Sequence, residues 1–110
     1  MLTYEITAIV RADLCDTYER YMTDRHIPDV MRTGAFIAAT FSRSGPGRYR
    51  IRYEVLSREA MDAYLAAHAP GLRQHFADTF PSGVELSREE WTILEGWIPA
   101  DAAESYPLPE

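Results

Sequence analysis

The sequence predicts an α+β fold in which two helical segments lie on one face of a four-stranded antiparallel sheet. Three observations point there. Residues 2–10 and 48–55 alternate apolar and polar side chains with the period of a half-buried strand. Two other stretches, on either side of Pro28 and of Pro70, repeat apolar residues at helical spacing. The resulting order, strand-helix-strand twice over, makes two βαβ halves of similar length, and right-handed crossovers then interleave their strands in one sheet.

Each element has its own signal. In the first strand Leu2, Tyr4, Ile6, Ala8 and Val10 share one face, with Thr3, Glu5 and Thr7 on the other. Asp13 is placed to cap a helix whose stripe is Leu14, Tyr18, Tyr21 and Met22. Pro28 is expected to interrupt that helix, because a proline drives the residue before it out of the helical region. A short further turn through Val30 and Met31 should end at Gly34. The second strand is expected over 36–43, with a hairpin turn at Ser44-Gly-Pro-Gly47. In the third, Tyr49, Ile51, Tyr53 and Val55 oppose Arg48, Arg50, Arg52 and Glu54. Ser57 should cap a second helix with Met61, Tyr64, Leu65 and His68 on its stripe, interrupted at Pro70 and continued by Leu72, Phe76 and Phe80. A last strand falls within 84–97, its register open. Residues 1–98 therefore form one ferredoxin-like βαββαβ domain, and 99–110, polar and Pro-rich, an extended or disordered tail.

Composition excludes several functions. The net charge of −6 leaves no basic stripe for nucleic acid. The eleven basic residues are all Arg, a side chain suited to planar anions. A single cysteine, Cys15, rules out an intrachain disulfide or a Cys-rich metal site, and a reduced cytoplasmic setting is expected. No apolar run approaches the roughly 20 residues of a membrane span, and the N-terminus lacks the features of a signal peptide.

The most distinctive local feature is a repetition. Residues 25–36 read RHIPDVMRTGAF and residues 67–76 read AHAPGLRQHF, each with a His two residues before a Pro. The pseudo-symmetry of the fold makes these equivalent helix stops. The antiparallel course of the helices then puts His26 near Tyr4 and Tyr53, and His68 at the opposite end near Tyr49.

These two stretches resemble the signature of a small bacterial family of unknown function in the dimeric α/β-barrel superfamily, over roughly residues 2–95. The matching positions are His26, Pro28, Gly34, Phe36, His68, Pro70, Leu72 and Arg73. The resemblance implies the fold and a homodimer, but brings no catalytic residues. More distant superfamily members include cofactor-independent antibiotic-biosynthesis monooxygenases, muconolactone isomerases, polyketide cyclases, EthD-like proteins and heme-degrading monooxygenases. Many bind a small aromatic ligand between helices and sheet.

The candidate catalytic residues are His68 and His26, since an imidazole exchanges protons near neutral pH. The competing reading of each is structural: a helix-terminal His bonded to free carbonyls, or a core His bonded to Tyr49. Tyr4, Tyr49, Tyr53 and Tyr64 are candidate ligand contacts, or simply core aromatics. Arg73 can hold a carboxylate or phenolate by paired hydrogen bonds, or be a solvated helix residue.

No metal and no cofactor are expected. His68 and His75 stand seven apart, about 10 Å along a helix, too far to share an ion. Heme-degrading relatives use a helix His, a first-strand Asn and a helix Trp. This chain has no Asn, and both Trp residues follow the last helix. Two function classes follow: a cofactor-independent monooxygenase, isomerase or cyclase acting on an aromatic or polyketide-like molecule, and a non-catalytic homodimer binding a metabolite or protein. In either, Glu5 is expected to pair with an Arg of the third strand on the sheet face away from the helices.

Overall fold

A computed structural model describes residues 1–100; most of the expected tail lies outside them. The sheet contains β1 (Leu2–Val10), β2 (Ala38–Gly45), β3 (Arg48–Val55) and β4 (Val84–Thr92), in the order β2-β3-β1-β4. Every neighbouring pair is antiparallel, and β1 and β3 are central, with Tyr4 opposite Tyr53 and Ala8 opposite Tyr49. This is the ferredoxin-like α+β fold. Alternation sets the core: Tyr49, Ile51, Tyr53 and Val55 are buried while Arg48, Arg50, Arg52 and Glu54 are not. No helix among the described residues is long and apolar enough to cross a membrane.

Between β1 and β2 the chain makes a short 3-10 turn (Ala12–Leu14), helix α1 (Cys15–Tyr21), a π-helical turn (Met22–His26) and helix α2 (Ile27–Arg32). Asp13 does not cap α1; its carboxylate accepts from Arg11 Nε at 2.6 Å instead. Between β3 and β4 lie α3 (Arg58–Ala67), capped by Ser57 accepting from the Ala60 N–H, and α4 (Ala69–Thr79). β2 begins at Ala38 rather than at Phe36, yet Phe36 remains in the core, tilted against Tyr53 and edge-on to Tyr64.

The two His-x-Pro segments are not equivalent stops. At the first, the backbone stays helical through His26 and Ile27 and on to Arg32. The turn widens instead: the Ile27 N–H donates to the Met22 carbonyl, five residues back. The extra residue makes room for the Pro28 ring, which in a regular helix would collide with the carbonyl four residues earlier. Only at Gly34, with φ of 79°, does the segment end. At the second, the helix breaks. His68 has φ of −116°, closes α3 through its N–H to the Tyr64 carbonyl, and starts a new helix with Pro70 in its first turn, where no N–H is needed.

Gly47 and Gly83 shape the opposite end. Gly47 (φ 74°) accepts from the Val10 N–H, and a β-carbon there would sit 2.6 Å from the Val10 carbonyl oxygen.

A tyrosine-lined cleft holding His26

A cleft opens between the helices and the sheet at the Tyr4–Tyr53 level. Its sheet side is Tyr4 and Ile6 of β1, Ile51 and Tyr53 of β3, and Leu86 and Arg88 of β4. Its helix side includes Tyr18, Met22, His26, Tyr64, Arg73 and Phe76. The cleft is narrow: of about 470 Å³ including the mouth, only about 40 Å³ admits the centre of a water molecule.

The π turn brings His26 into this cleft. One extra residue rotates the helix face, so that Met22 and His26 both look inward. The imidazole packs edge-on against Phe76, ring centres 5.6 Å apart, and 5.8 Å from the Tyr21 ring. Burial depresses its pKa to about 4, aided by the charges of His75 and Arg88 and opposed by Asp29. His26 is thus neutral at physiological pH.

Four phenols share the cleft with it in different states. The Tyr4 hydroxyl accepts from Arg73 Nη2 at 3.0 Å. Burial pushes the Tyr64 phenol up to about 12. The hydroxyls of Tyr18 and Tyr53 are buried with no hydrogen-bond partner on the protein, although their residues are only 0% and 2% exposed. Burial also raises the pKa of both, so each is a neutral O–H donor aimed at nothing.

Of the candidates, His26, Tyr4, Tyr53, Tyr64 and Arg73 share the cleft; His68 and Tyr49 do not. His68 is exposed, near Tyr64 rather than Tyr49, because the break at that residue turns α4 onto a new course. Tyr49 lies beyond Tyr18, lining an open groove with Cys15 and the hairpin turn, and donates to Glu19 Oε2 at 2.5 Å. Arg43 Nη1 stands 3.1 Å from the same oxygen. The pairing of His68 with Tyr49 is thereby overturned. His75, the third histidine, stacks on Tyr21, and its Nδ1 is hydrogen-bonded to that phenol at 2.5 Å.

Sequence reasoning missed Arg88 and Tyr18. Tyr18 lies on the apolar stripe of its helix, where a free hydroxyl leaves no trace in the sequence. Arg88 pairs with Ile6, so it stands in phase with Val84 and Leu86 on the helix-facing side of β4. An arginine in the apolar phase of a strand was the available signal, but it needed the register. Among the described residues no group of three or more His, Cys, Asp or Glu is arranged to hold a metal.

Comparison with known proteins adds the family. Residues 1–94 match the DUF4286 domain, a domain of unknown function. The chain belongs to this family. No curated protein matches its sequence. Several solved structures share its fold. A candidate antibiotic biosynthesis monooxygenase from Deinococcus radiodurans superposes with a TM-score of 0.72 at 20% identity, covering 90% of this chain and 98% of its own. The heme-degrader MhuD from Mycobacterium tuberculosis, solved with two hemes in its active site, gives 0.65 at 18%, with coverages of 88% and 99%. A candidate antibiotic biosynthesis monooxygenase from Nitrosomonas europaea gives 0.58 at 17%, with 86% and 100%.

Proposed function

We propose that this DUF4286 protein binds a small aromatic or polyketide-like molecule in the tyrosine-lined cleft and acts on it as a cofactor-independent enzyme, with His26 as the proton acceptor. The observation that carries this reading is the pair of buried, partnerless hydroxyls of Tyr18 and Tyr53 in the same cleft as a neutral imidazole. A buried donor without an acceptor costs on the order of 1–3 kcal/mol. A ligand oxygen in the cleft would recover that cost, and a flat apolar body suits the surrounding rings.

Proton abstraction is the step that oxygenation, isomerisation and cyclisation of phenols and enolisable ketones share. An imidazole of such low basicity is matched only to an acidic proton. Phenols and 1,3-dicarbonyls fit that requirement better than unactivated carbon. His68 holds no comparable position, being outside the cleft.

Heme fits these residues poorly. His68 is exposed and His75 is hydrogen-bonded to Tyr21, which leaves His26 as the one histidine lining the cleft, packed edge-on against Phe76. A macrocycle would also have to displace the buried rings of Tyr18, Tyr53 and Tyr64.

The test is a thermal-shift screen with aromatic acids and quinones, followed by product analysis of the hits. Saturable stabilisation with turnover supports the enzyme reading. Stabilisation without turnover leaves a binding protein, and no hit in either assay overturns the reading.

We further propose a cytoplasmic homodimer formed through the sheet face away from the helices. On that face Glu5 accepts from Thr3 at 2.9 Å and lies 3.8 Å from Arg50 and 3.9 Å from Arg52. Ile9 and Trp91 stand beside them about half exposed, at 47% and 52%, apolar area that a second copy would cover. Sedimentation velocity should show about twice the 12.5 kDa chain mass; a monomer at micromolar concentration overturns the dimer.

A further inference from the structure

The mouth of the cleft carries two arginines, from different elements, that no carboxylate neutralises. Arg73 projects from α4 and Arg88 from β4, and they line both the cleft and the shallow groove outside it. Among the described residues, neither has a carboxylate within 4.0 Å, whereas seven other arginines do. Two acidic residues are close by. Glu90 is held by Arg58 Nη2 at 2.5 Å, and Glu89 stands in the opposite phase of β4, across from Glu5.

Two features shape this arrangement. Arg88 follows Val84 and Leu86 in the helix-facing phase of β4, and Glu90, next in that phase, is engaged by Arg58, so the Arg88 guanidinium is held over the cleft rather than out toward the other face. And although the chain is acidic overall, at −6, and Glu89 and Glu90 line the outer groove, neither carboxylate lies within 4.0 Å of Arg73 or Arg88. Arg73 now donates to the Tyr4 hydroxyl, a weaker acceptor than a carboxylate.

We propose that Arg73 and Arg88 form a carboxylate clamp, and that the ligand is an aromatic carboxylic acid carrying a hydroxyl or carbonyl oxygen at its far end. The carboxylate sits between the guanidiniums at the mouth, releasing Arg73 from Tyr4. The ring lies among Tyr4, Tyr64 and Phe76, which part to admit it because the closed cleft is too narrow to hold it. The distal oxygen accepts from Tyr18 or Tyr53. This assignment rests on the small-molecule reading of the cleft and adds the class of molecule.

The experiment is isothermal titration of the full chain with 4-hydroxybenzoate and 6-hydroxy-2-naphthoate, each beside its neutral primary amide. At least one acid should bind ten-fold or more tightly than its amide. Arg73→Gln and Arg88→Gln should each weaken that acid about ten-fold and leave its amide within two-fold. Circular dichroism would confirm that the variants fold. Equal binding of acid and amide, or acid binding indifferent to both substitutions, overturns the clamp and leaves the cleft reading standing. Absence of saturable binding by all four compounds overturns both.

Discussion

The two His-x-Pro segments carry the same three-residue pattern and end in opposite places. Around Pro28 the helix absorbs the proline by adding a residue to one turn, and the result is a half-buried His26 inside a cleft. Around Pro70 the helix breaks at the histidine itself, and His68 is left in solvent. A proline thus sets a requirement, room for its ring and no donor, but not the way it is met. Where the chain widens, the side chain before the proline rotates with the turn. Where it breaks, the backbone rotates and the side chain goes outward.

The largest effect should come from removing the widening. Deleting exposed Asp24 takes one residue out of the π turn and forces Pro28 into a regular helix. The clash and the lost hydrogen bond should cost about 3 kcal/mol. Pro28→Ala in the same chain should recover most of it. Urea unfolding of the deletion with and without Pro28→Ala tests this. An equal loss in both would mean that the π turn exists for some reason other than the proline.

How far the sequence carried follows from the same contrast. β1 and β3 were legible to the residue, because period-2 alternation is enforced by burial along their whole length. The Ser57 cap and the Gly34 stop were legible because each depends on the chemistry of one residue. β4 was located but not registered: after Val84 and Leu86 it reads Ser-Arg-Glu-Glu, and an edge strand with one exposed side needs no alternation. That gap hid Arg88. The fate of His26 and His68 was illegible for a different reason. Whether a helix widens or breaks depends on what packs against it, and Phe76 and Tyr21 hold His26 from another part of the chain and from the preceding turn.

Acid should separate the two histidines next. His26 in the folded chain titrates at about 4, below the ordinary 6.5. Between those values the unfolded chain binds more protons, so its contribution to stability is complete above pH 6.5 and is lost as pH falls toward 4. The loss should be about 3 kcal/mol at full protonation. His26→Gln should flatten the stability curve over that window relative to wild type. His68→Gln, at an exposed position, should change stability at pH 7 by less than about 0.5 kcal/mol. Denaturant unfolding at several pH values reads both, and a wild-type curve matching that of His26→Gln from pH 4 to 6.5 would contradict the burial of His26.

The smallest effect bears most directly on why one segment was turned inward. If the cleft were only core, its hydroxyls would be bonded, as the Tyr4 hydroxyl is to Arg73. Tyr18 and Tyr53 instead keep partnerless O–H groups at 0% and 2% exposure, in a structure that offers each a phenylalanine-shaped space. Removing only the oxygen abolishes a desolvation cost and breaks no protein hydrogen bond. Tyr53→Phe should therefore raise stability by up to about 1 kcal/mol, whereas Tyr4→Phe, which strips Arg73 of its acceptor, should lower it by a similar amount. Thermal unfolding of the two variants decides the sign. A Tyr53→Phe protein that is more stable yet binds the hydroxy acid less tightly than the acid without its hydroxyl would show that the oxygen serves a ligand. One that loses stability would place a bound water or a moving side chain at that hydroxyl, and the cleft around His26 would be a core like any other.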